Sequence, residues 1–69
     1  MDKYARRWIN GLIKKAQSID GMDDVVSQIS ARCSSGDAAA ITLIIADALD
    51  TTQRKRFTKL ILKDAGYDE

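Results

Sequence analysis

Few side chains in this chain could do chemistry, and the first to weigh is its single thiol, Cys33. A reactive cysteine needs exposure and a cationic neighbour that favours the thiolate. Cys33 instead closes an apolar series, Met22, Val25, Val26 and Ile29, at helical spacing. That position suits a small buried hydrophobe better than a nucleophile. Arg32 adjoins it in sequence but is expected to point elsewhere on the helix. Histidine, the commonest general base and metal ligand, is absent. No catalytic residue, metal-ligand set or cofactor site is therefore expected, and the chain reads as non-enzymatic.

Two clusters imitate ligand sites. Asp20, Asp23 and Asp24 suggest a cation, but a calcium loop needs acids at alternating positions, a central glycine and a closing Glu. Helix capping explains these acids better, with Asp20 as cap and Asp23 and Asp24 in the first turn. Ser34-Ser35-Gly36 precedes a helix, as phosphate cradles do. No lysine follows it, and Asp37 repels an anion. Asp47 lies among Ile44, Ile45, Ala48 and Leu49, where a carboxylate is costly to bury unpaired. It marks either a solvent-facing edge or an ion pair with an arginine of another helix or of a partner.

The remaining candidates are surfaces. Trp, Tyr and Arg dominate binding hot spots, and Tyr4, Arg7 and Trp8 stand together near the start. With Ile9, Ile44 and Asp47 they make the candidate protein interface, rimmed by Arg6 and Lys14. Arg54, Lys55, Lys59 and Lys63 make an alternative face for nucleic-acid phosphates, with the last two helices read as a helix-turn-helix. Against that alternative, the usual turn glycine is absent and the face has few residues that read base edges.

Four helices are needed to position these residues. Tyr4, Trp8 and Leu12, with Ala5, Ile9, Ile13 and Ala16, give a broad apolar face over about 2–18. Gly11 sits inside that helix, and close packing is the expected reason. Met22 to Cys33 form the second helix after a turn at Ile19-Asp20-Gly21. The third, about 37–49, is capped by Ser35 or Asp37 and is apolar almost all round. Such a helix must be surrounded, and three short neighbours cover it only partly, so a second copy or another partner is expected. Asp50 and Gln53 form a capping box for the fourth helix, whose buried stripe is Phe57, Leu60, Ile61 and Ala65. Gly66 is its left-handed stop, with Tyr67 folding back over Leu62.

At 69 residues there is one domain, near the lower limit for a self-sufficient core. The fold class is all-α: a compact array of four short helices around the apolar third. Absence of proline, 45% apolar residues and only four glycines fit this reading. Net charge is +1, unevenly spread. Lys3, Arg6, Arg7, Lys14 and Lys15 face only Asp2 up to residue 19, and Asp20, Asp23, Asp24, Asp37, Asp47 and Asp50 face only Arg32 up to residue 50. The basic and acidic segments are expected to pair within the fold or across a dimer. A lone cysteine, no signal-like opening and no apolar run of membrane length make a reducing cytoplasm the expected location. In size and plain helical make-up the chain resembles small accessory proteins of phages and plasmids, a likeness that rests on no motif. Its expected function is that of a small regulator, such as an antirepressor or inhibitor, acting on another protein as a homo-oligomer; the alternative is a DNA-binding regulator.

Overall fold

Four helices account for most of the computed structural model, which describes residues 2–67: α1 (Lys3–Gln17), α2 (Met22–Arg32), α3 (Ser35–Ala48) and α4 (Thr51–Asp64). No strand occurs among the described residues, so the all-α reading holds. Each helix packs on the other three. The radius of gyration is 11.3 Å, close to the roughly 11 Å of a compact chain this long.

The caps explain where the helices start. Asp2 opens α1 by accepting a hydrogen bond from the Ala5 amide at 2.8 Å. Ser34, one residue before the two caps proposed from sequence, opens α3; its hydroxyl accepts from the Asp37 amide. The expected capping box is present at α4, where Asp50 accepts from the Gln53 amide at 2.8 Å and the Gln53 carboxamide accepts from the Asp50 amide. α2 differs from expectation. Its cap is Gly21, with no side-chain bond, and not Asp20. Gly66 stops α4 as expected: its φ is +90°, Tyr67 N–H donates to Leu62 C=O and Gly66 N–H donates to Lys63 C=O. That pair of bonds is the Schellman arrangement. The Tyr67 side chain remains 71% exposed.

Ile9, Leu12 and Ala16 of α1, Met22, Val25, Val26 and Ile29 of α2, Ile41 and Ile45 of α3, Leu49 and Phe57 form the core. Phe57, Ile45 and Val25 are the largest wholly buried side chains. Three details depart from the sequence reading. Tyr4 heads the expected apolar face of α1 yet is 81% exposed. Ala65, placed on the α4 stripe, is exposed, while Leu60 and Ile61 are half-buried. Gly11 is exposed, and a side chain there would meet no neighbour, so close packing is not its reason.

α3 touches all three other helices yet buries only Ile41 and Ile45 fully. Gly36, Ala39, Ala40, Leu43, Ile44, Asp47 and Ala48 are all exposed. Its apolar character on every side is therefore only half used within one copy of the chain.

Candidate functional site

Large apolar side chains stand exposed on the outer side of α3 and at the start of α1. Leu43 is 71% and Ile44 39% exposed, on a helix that holds no Lys or Arg. On one flank, Ile29, Ala38, Ala39, Thr42, Leu43, Ile61 and Ala65 line an apolar groove between α2, α3 and α4. Ser30 and Asp64 also line it, the Ser30 hydroxyl donating to the Asp64 carboxylate. On the other flank, Ala5, Trp8, Ile9, Arg32, Cys33, Asp37, Ala40 and Ile41 line a second groove.

Trp8 is fixed at that second groove by α2. Its indole N–H donates to the Gln28 side-chain oxygen at 3.2 Å, and Gln28 donates in turn to Asp24 at 2.8 Å. Asp24 also pairs with Lys15, which returns the chain of bonds to α1. The Arg32 guanidinium lies over the indole ring, 5.9 Å from its centre, within cation–π range. Asp24, Gln28 and Arg32 recur every fourth residue, so they form one polar line along α2 facing α1. That spacing was the signal for this network in the sequence.

Of the proposed interface residues, Tyr4 is exposed, Trp8 is half-buried at the groove and Arg7 is exposed. Ile9 is corrected: at 4% exposure it belongs to the core and supports the groove from beneath. Ile44 and Asp47 are exposed on α3, away from any ion pair among the described residues, where Lys15–Asp24 is the one formed. This pair joins the basic first segment to the acidic middle one. Arg32 takes the place beside Trp8 that sequence gave to Arg7, and it lines the same groove as Cys33 instead of pointing elsewhere.

Cys33 is half-buried against the core. Burial, followed by the charge of Asp37, pushes its thiol pKa up, the direction opposite to that of a reactive thiolate. The Lys15 ammonium and then the Gln28 amide hold the Asp24 carboxyl below its ordinary range. A carboxylate favoured in the folded state adds stability above its unfolded pKa, and that contribution is lost as pH falls through the lowered folded value. Asp24→Asn is accordingly expected to lower the urea midpoint slightly at pH 7, with the gap to wild type closing in acid. An equal gap at both pH values, read by circular dichroism, would contradict the pairing.

The proposed nucleic-acid face divides. Arg54 donates to the carbonyls of Ala46 at 2.9 Å and Leu49 at 3.2 Å, capping the C-terminal end of α3. Lys63 lines a cleft with Asp23 and Asp64. Lys55 and Lys59 remain together, with Arg56, Thr51 and Thr52, around a shallow groove without an acid. Among the described residues no helix is long and apolar enough to cross a membrane. Comparison with protein-family models, curated proteins and solved structures gives no match.

Proposed function

We propose that this chain is a non-enzymatic regulatory protein of the cytoplasm that works by binding another protein, in the manner of an antirepressor or inhibitor. One observation carries the reading: Leu43 stands 71% exposed on a helix with no basic residue and lines one apolar groove of α3, while Trp8 and Ala40 line a second. Scattered exposed hydrophobes are ordinary, but contiguous ones rimmed by polar residues mark interaction sites. Here Arg32 lines the Trp8 groove, and a partner with an acidic edge complements it. The mechanism is steric occlusion of whatever the bound partner surface normally contacts.

Affinity capture from extract of the native organism, after nuclease treatment, tests the reading. A protein should be retained at moderate salt and lost with Tyr4→Ser or Trp8→Ala. Capture that survives both substitutions places the interface elsewhere. The basic groove of Lys55, Arg56 and Lys59 favours a second reading, phosphate contact with DNA. That reading predicts binding that nuclease abolishes and that weakens steeply with salt, about one counterion per contact; an apolar interface changes little.

A further inference from the structure

The outward side of α1 carries charge that the fold leaves unused. Residues 3–17 contain Lys3, Arg6, Arg7, Lys14 and Lys15 and no acid. Lys15 is paired, with Asp24; Lys3, Arg6, Arg7 and Lys14 are exposed and make no ion pair among the described residues. The pairing of basic and acidic segments that the sequence suggests is therefore mostly absent here. At 3.6 residues per turn, Lys3, Arg7 and Lys14 fall within about 40° of one another. They lie opposite buried Ile9, Leu12 and Ala16, with exposed Asn10 beside them.

Local stability does not explain this row. Lys3 opens the helix, at the end where the dipole is positive and an acid is favoured. Arg6 and Arg7 follow three and four residues later, the spacings at which like charges repel. A face that served solubility alone would intersperse both signs. Breaks of local rules without a structural gain are the mark of a functional surface.

We infer that the outer face of α1 docks on double-stranded DNA, with Lys3, Arg6, Arg7 and Lys14 on phosphates. The face lies on a different helix from the Lys55 and Lys59 groove and on a different side of α1 from the Trp8 groove. It is thus a site beyond both readings above.

The chemistry of the face selects this partner. Lys, Arg and Asn side chains all donate hydrogen bonds and are types that contact phosphate oxygens. Arg and Asn also pair with guanine and adenine edges in the major groove, which at about 12 Å admits a helix. That mixture is what α4 lacks. A protein partner calls for an apolar centre to its interface, and a helix on a membrane surface calls for an apolar side to insert. α1 buries its apolar side in the core, and Tyr4 stands only at the edge of the basic row. Single strands are held largely by stacked aromatics, of which the row has none. Duplex RNA has a major groove too deep and narrow for side chains to read.

Fluorescence anisotropy of a labelled DNA duplex of mixed sequence, titrated with the full chain at low salt, tests the inference. Affinity should fall as salt rises with a log–log slope of about −3 to −4, as four phosphate contacts require. Arg7→Gln and Lys14→Gln should each reduce that slope by about 1, whereas Lys55→Gln should leave it as it is. Lys3→Glu should weaken binding several-fold and yet raise the urea midpoint, because it removes both local conflicts; a residue that served the fold alone would not move the two in opposite directions. No binding at low salt, or a slope indifferent to Arg7→Gln and Lys14→Gln, would overturn the inference. So would equal affinity for single strands, for duplex RNA or for vesicles of anionic lipid. Capture of a nuclease-resistant protein that Lys14→Gln abolishes would assign the face to an acidic protein and overturn it too. Capture that depends on Trp8 is a separate readout, so the protein-binding reading stands or falls independently.

Discussion

Phe57→Ala is expected to leave the chain largely unfolded at 25 °C. Phe57 is wholly buried and is the only fully buried residue of α4. Truncating a buried phenylalanine costs about 3–5 kcal/mol, because lost transfer energy adds to the cavity left behind. A core in a chain of this size supplies a net stability of only about 3–5 kcal/mol. The rest of the α4 attachment is lighter: Leu60 and Ile61 are half-buried, the bonds from Gln53 to the Gln17 carbonyl and from Ser30 to Asp64 are exposed, and Arg54 adds two bonds to the end of α3. Phe57→Leu keeps most of the volume and should lower the urea midpoint while preserving a cooperative transition. A Phe57→Ala variant with wild-type circular dichroism and a wild-type midpoint would show that the core does not depend on α4.

The apolar series of α2 and the two ends of α4 were readable because period and local bonds specify them, whereas the caps of α2 and α3 were each misplaced by one or more residues. Met22, Val25, Val26 and Ile29 are buried as their spacing requires, and the Asp50–Gln53 box and the Gly66 stop rest on local bonds that sequence specifies directly. What escaped depends on the third dimension. Tyr4 shares the period of Trp8 and Leu12 but is 81% exposed, whereas Trp8, one turn later, is held by Gln28 and Arg32 of α2. Arg54 reads as a solvated cation until the two-residue connection brings it under the free carbonyls of α3. The same limit splits the candidate surfaces: Lys55 and Lys59 stay together while Lys63 faces acids of another helix. α3 was the informative exception, since apolar residues on every side already implied more surface than three short helices cover.

Gly21→Ala is expected to destabilise the fold by about 1–3 kcal/mol, the usual cost of overpacking, and to do so at the upper end of that range. Backbone conformation is not the reason, because Gly21 has φ −90° and ψ −12°, open to any residue. The obstacle is space. A Cβ there would stand 2.2 Å from the Lys15 carbonyl oxygen and 2.4 Å from the Ser18 hydroxyl. That carbonyl cannot swing away like the end of a side chain; it closes α1 by accepting from the Ser18 amide at 3.1 Å and the Ser18 hydroxyl at 2.6 Å. Relief therefore requires the start of α2 to move off α1, which loosens buried Met22 and Val25 together. Gly11→Ala supplies the opposite sign in the same neighbouring helix. Gly11 is exposed and its added methyl meets nothing, so the gain is the helix preference of alanine, about 1 kcal/mol. Urea midpoints measured side by side should fall for the first variant and rise for the second; equal stability of Gly21→Ala and wild type would mean that α1 and α2 do not meet at this glycine.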